Sequence, residues 1–72
     1  PQGMGLYKDK LYVADINRVV QINTVTAKID NVFKVDSAKF FNDIASDSNG
    51  DMYISDCFGN KIYKISNIIS SV

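Results

Sequence analysis

Two adjacent oxygen donors, Asn42 and Asp43, are the residues of this chain best suited to hold a cation. A side-chain amide and a carboxylate both present hard oxygens, and Ca²⁺ collects about six to eight of these at ~2.3–2.6 Å. An earlier, similar stretch carries Gln2-Gly3 at the matching place, so both positions differ between the two stretches in the direction of oxygen ligands. The competing role is structural, because Asn and Asp ahead of a strand cap turns by accepting bonds from backbone N–H groups. Two side chains are too few for a shell, so the chain alone is not expected to bind a metal.

The other reactive residue types point to structure. Asp15 and Asp56 end equivalent stretches, and a turn is needed in every repeat where an active site is needed once. A carboxylate accepting N–H bonds from the following loop explains both. Arg18 and Lys61 correspond in the same way and are expected to pair with those aspartates or to sit in solvent, at a gain of only about 0–1 kcal/mol. Cys57 is the single cysteine, which excludes an internal disulfide, and it has no histidine to activate it. The absence of histidine also removes His-liganded zinc, Ser-His-Asp triads and imidazole bases. Gly3-Met4-Gly5 lacks the third glycine and the helix that a dinucleotide site requires.

Composition narrows the classes further. Eight basic and eight acidic residues cancel, and no Lys/Arg stripe marks a nucleic-acid surface. With 46 % hydrophobic and 22 % charged residues, the 72-residue chain belongs to the folded class, near the size where one core is marginal. No apolar run approaches the ~18 residues of a membrane span, and no membrane partner is expected. The chain opens on Pro1 rather than Met, which reads as a processed or excised piece whose cellular address is not legible.

The elements that must position these residues are written twice. Leu11-Tyr12-Val13-Ala14-Asp15 matches Met52-Tyr53-Ile54-Ser55-Asp56 at a spacing of 41 residues. Arg18-Val19-Val20-Gln21-Ile22 matches Lys61-Ile62-Tyr63-Lys64-Ile65 at a spacing of 43. A period of about 42 in a β-rich sequence is the length of a propeller blade, and closed propellers hold ~4–8 of them. The expectation is an all-β chain of two consecutive four-stranded antiparallel units, 1–35 and 36–72. In the first, an extended glycine-bearing segment leads through a Lys8-Asp9 turn into Lys10–Asp15, Arg18–Asn23 and Lys28–Val35. In the second, Phe40–Ser46, Asp51–Asp56 and Lys61–Ser66 follow, with Asn67–Val72 beginning an outer strand. Asn49-Gly50 is read as a type I′ hairpin turn. Ser37–Ala45 could also form a short helix, but the repeat sets Asp43-Ile44-Ala45 on Gly3-Met4-Gly5 and favours a strand. Leu11, Tyr12, Val13, Val20 and Ile22 are expected in the core, with Ile44, Met52, Tyr53, Ile54, Ile62 and Ile65.

Asn42-Asp43-Ile44-Ala45-Ser46-Asp47-Ser48-Asn49-Gly50-Asp51-Met52-Tyr53-Ile54-Ser55-Asp56, followed by Gly59-Asn60-Lys61-Ile62-Tyr63-Lys64-Ile65, resembles the blades of six-bladed propellers. The similar groups are the gluconolactonase/regucalcin-like superfamily and the NHL-repeat proteins, whose blades carry Asp-Ile-Ala-x-Asp-x-x-Gly-x-x-Tyr-Val-x-Asp and then Gly-Asn-x-Arg-Ile. Pro1-Gln2-Gly3-Met4 resembles the opening of many NHL blades. The resemblance implies a propeller fragment and places Asn42, with Asp43 in some members, at a central channel as ligands of a divalent metal such as Ca²⁺. It leaves two functions open: a ligand- or protein-binding scaffold, or part of a Ca²⁺-dependent lactonase- or esterase-like hydrolase. Two blades leave apolar faces uncovered, so the partners expected are the remaining blades of a larger chain or further copies, three of which would approximate a six-bladed ring.

Overall fold

The computed structural model of the chain describes residues 3–66. Strands β1 (Gly3–Tyr7), β2 (Lys10–Asp15), β3 (Arg18–Asn23) and β4 (Lys28–Lys34) form one antiparallel sheet in chain order. Strands β5 (Phe41–Ser46), β6 (Met52–Asp56) and β7 (Lys61–Ile65) form a second. The described residues contain no helix: residues 37–40 form a turn and loop, and Phe41–Ala45 lies in β5 as the repeat required. The outer strand expected at Asn67–Val72 lies outside the described residues.

Tight loops set the register. Lys8-Asp9 joins β1 to β2 and Ile16-Asn17 joins β2 to β3, each as a two-residue hairpin loop with positive φ at the first position (51° and 55°). Between β3 and β4, Asn23 Oδ1 accepts the N–H groups of Val25 and Thr26 at 2.9 and 3.1 Å, and Ala27 donates back to the Asn23 carbonyl at 2.8 Å. The β5–β6 hairpin corrects the type I′ reading. Asn49 keeps negative φ and only Gly50, at 85°, is left-handed. Asp47 organises this loop instead, its Oδ1 accepting the N–H groups of Asn49 (2.9 Å) and Asp51 (3.1 Å).

Because side chains alternate along a strand, each sheet has two distinct faces. The inner face of the first sheet carries the cross-strand rows Gly3–Ala14–Val19–Phe33 and Gly5–Tyr12–Gln21–Asn31. It packs on the rows Ile44–Ile54–Tyr63 and Ser46–Met52–Ile65 of the second sheet. The two glycines make this stacking possible. A β-carbon at Gly3 would lie 2.9 Å from the Asp43 Cα, and one at Gly5 would lie 2.7 Å from the Ile44 Cγ2. The Ile44 side chain therefore fills the groove that glycine leaves open. Tyr12, Ala14, Val19, Phe41, Met52 and Ile54 are almost wholly buried, and Tyr63 meets Phe41 edge-on at 5.6 Å. Each large apolar side chain so buried contributes about 1.5–3 kcal/mol.

A polar ladder runs under this interface. Gln21 is fully buried, donates from Nε2 to the Tyr12 hydroxyl at 2.6 Å, and accepts from Asn31 Nδ2 at 2.7 Å. Opposite the step between Gln21 and Ile22 the pairing jumps from Asn31 to Ile29, a bulge at Asp30, whose carboxylate pairs with Lys10 Nζ at 2.5 Å.

The expected core needs correction on this basis. Tyr12, Ile44, Met52 and Ile54 are buried as expected, but Ile62 is 73 % exposed on the outer face of the second sheet. Leu11, Val13, Val20 and Ile22 are half-buried, because they point to the far face of the first sheet. Tyr53 and Ile65 are half-buried as well. On β3 the chain turns Val19 and Gln21 inward where Val20 and Ile22 were expected. The far face is apolar across all four strands, in the rows Met4–Val13–Val20–Val32 and Leu6–Leu11–Ile22–Ile29.

Candidate functional site

Asn42 and Asp43 lie at the start of β5, next to each other and both exposed. The β5–β6 pairing passes from Phe41↔Asp56 to Asp43↔Ser55, so Asn42 is the extra residue of a bulge. Bulges re-aim side chains at the ends of strands. Asp43 Oδ1 accepts the N–H of Ile44 at 3.0 Å. Its side chain lines a depression of about 220 Å³ on the outer face of the second sheet, with Ile44, Ala45, Tyr53, Ser55 and Ile62. The donor chemistry of the pair suits a hard cation. Among the described residues, no cluster of three or more His, Cys, Asp or Glu side chains gathers there or elsewhere.

Asp56 is a carboxylate spent on the backbone. It is 2 % exposed, and it accepts the N–H groups of Lys39 (2.8 Å), Phe40 (3.0 Å) and Gly59 (2.9 Å). These bonds, led by that from Lys39, hold its pKa below the ordinary carboxylate range against the opposing effect of burial. The clasp joins the linker before β5 to the loop after β6. The equivalent Asp15 pairs with Arg18 at 3.2 Å across its shorter hairpin. The expected N–H bond from the following loop is met at Asp56, through Gly59, whereas Asp15 is held by the Arg18 side chain instead.

A second polar group lies on the outer face of β6 and β7. The Tyr53 hydroxyl donates to Asp47 Oδ2 at 3.0 Å, and Lys64 Nζ stands 3.5 Å from Asp51 Oδ2 and 5.8 Å from the centre of the Tyr53 ring. Burial pushes Asp47 up, but the Tyr53 hydroxyl and the N–H groups of Asp51 and Asn49 together hold it below its ordinary value. The same hydrogen bond to Asp47 raises Tyr53. Sequence reading singled out none of Asp47, Asp51 and Lys64, although the spacing of Asp47 and Asp51 across a glycine-bearing loop was the available signal.

Cys57 is exposed in the β6–β7 loop, beside a broad depression of about 580 Å³ that Asp56, Asn60, Lys61 and Ile62 also line. It has no imidazole beside it, because the chain has none. Among the described residues, the site offers oxygen donors, one organised carboxylate–phenol pair and an apolar depression, and no nucleophile–base pair. Neither a family model nor a curated protein matches the chain.

Proposed function

We propose that the chain is a two-blade segment of a β-propeller that works as a scaffold, binding a ligand or a protein through its exposed surfaces. One observation carries this reading. The outer face of the second sheet is the repeat equivalent of the inner face of the first, so the stacking of one sheet on the other is a pattern that the sequence is written to continue. Tyr12 corresponds to Tyr53, Ala14 to Ser55, Val19 to Ile62 and Gln21 to Lys64. Repeated stacking of small sheets is propeller construction, and loops on such a frame are where contacts vary. The use of Asp15 and Asp56 within their own loops supports the scaffold as well, since it leaves few groups for chemistry.

The alternative is a part of a Ca²⁺-dependent lactonase- or esterase-like hydrolase. It draws on the exposed oxygen donors of Asn42 and Asp43 at the bulge of β5. Bound Ca²⁺ would polarise a carbonyl or activate water there. The intact gene product separates the two readings when titrated with Ca²⁺ and assayed on lactone and aryl-ester substrates. The scaffold has no turnover and no Ca²⁺ affinity that depends on Asn42. The hydrolase has both, and Asn42→Ala removes them.

A further inference from the structure

We propose that the exposed apolar face of the β1–β4 sheet is the docking surface for a second copy of this chain, which presents the outer face of its β5–β7 sheet, head to tail. The inference rests on the repeated-stacking reading above and names its partner and contact surface. Within the molecule, the inner face of the first sheet packs on the inner face of the second. By the repeat, the outer face of the second sheet matches the former, and the outer face of the first sheet matches the latter: Met4 corresponds to Ile44, Val13 to Ile54 and Val20 to Tyr63. One chain therefore carries both halves of its own internal interface, each once more on the outside.

The local shapes agree with this. Ile44 enters the groove that Gly5 leaves beside Tyr12. Its counterpart Met4 is 66 % exposed, and the matching recess is the depression lined by Ala45, Tyr53, Ser55 and Ile62. Met is unbranched and adapts to irregular gaps, which suits a recess where Ala45 replaces glycine. Leu6, Ile29 and Val32 extend the open face, each more than half exposed, and contiguous apolar patches of this kind mark contact surfaces. Two residues resist: Asp43 stands where the first sheet has Gly3 and puts a carboxylate at the edge of the contact, and Lys64 stands where the first sheet has Gln21 and keeps its ammonium beside Asp51. A contact between two different faces is heterologous, so it continues into a ring or an open stack rather than stopping at a dimer.

Sedimentation equilibrium of the chain and three variants tests this. Wild type should associate beyond a dimer as concentration rises. Met4→Glu loses one face and Ile62→Glu the other, so each alone should lose association by about tenfold or more, as for a charge placed in the centre of an apolar contact. An equimolar mixture of the two should form a one-to-one dimer that grows no further, which no like-to-like contact produces. Asp43→Gly, which restores the residue of the first sheet, should tighten association. Far-UV circular dichroism confirms that each variant is folded, and both substituted apolar residues are more than half exposed. Undiminished self-association of Met4→Glu or Ile62→Glu alone, or weakening by Asp43→Gly, would overturn the proposal. So would a monomeric wild type. In that case the nuclear Overhauser contact between Gly5 and the Ile44 methyl separates the causes. Its presence overturns only the docking, and its loss overturns the stacked-sheet reading as well.

Discussion

The Asp56 carboxylate is seated against Gly59 so closely that any β-carbon at position 59 would collide with it. Glycine is required there by contact and not by backbone conformation, because Gly59 has no positive φ. Gly59→Ala should push the carboxylate off the N–H groups of Lys39 and Phe40 and destabilise the chain by about 1–3 kcal/mol. Urea unfolding of the two proteins checks this, and a change within error would mean that the clasp yields without cost.

Acid should weaken the fold through the same clasp. Asp56 and Asp47 are both held below their ordinary values in the folded chain. A depressed carboxylate adds stability above the unfolded value of about 3.9 and loses it as pH falls through the folded one. Stability should therefore decline from about pH 5 downward. Asp56→Asn should be less stable at neutral pH, with the gap closing as the solution is acidified. Denaturation curves across this range would contradict the assignment if the two proteins ran parallel.

Ile16 holds an exposed, left-handed backbone position with φ 55°, and its carbonyl accepts the Phe41 N–H at 2.5 Å. A β-branched residue is a poor choice there, since the left-handed region costs L-residues about 1–2 kcal/mol. Ile16→Asn should raise stability by about 1 kcal/mol, since asparagine tolerates that region. A lower melting temperature for this variant would mean that the Ile16 side chain contributes packing that its 55 % exposure does not suggest.

Tyr12 and Gln21 form the buried end of the polar ladder. Tyr12→Phe removes the oxygen and leaves the Gln21 amide without its acceptor, at a cost of about 1–3 kcal/mol. Tyr12→Phe with Gln21→Leu should recover much of that loss, because removing both partners spares the penalty of an unpaired group. A double variant as unstable as the sum of the singles would show no coupling between the two side chains and would contradict this.

The order of strands was legible in the sequence because the motif Leu11–Asp15 recurs at Met52–Asp56, and alternation with short polar turns fixes antiparallel pairing. Which face lies inside was not legible. Tyr12 and Leu11 are both apolar, and only the stacking of β1 on β5, permitted by Gly3 and Gly5, decides between them. That decision carried to Val19 and Gln21 through the cross-strand register and left Val20, Ile22 and Ile62 on open faces. Gln21 in particular reads as a surface residue until Tyr12 and Asn31 are seen to satisfy it. The Asn49-Gly50 turn misled for a similar reason: the Asp47 carboxylate supplies bonds that a type I′ turn would take from the backbone. Of the candidate site, the adjacency of Asn42 and Asp43 was plain, whereas the bulge that displaces Asn42 from the ladder depends on pairing with β6.

Amide resonances, those of the isotope-labelled chain followed against its own concentration and those of the labelled intact gene product against Ca²⁺, test the scaffold reading most directly. Raising the concentration should shift the amides of Val13 and Val20 on one face and of Ile62 and Lys64 on the other, while Ca²⁺ leaves Asn42 and Asp43 unmoved. Saturable Ca²⁺ shifts centred on Asn42 and Asp43, with both faces indifferent to concentration, would contradict it.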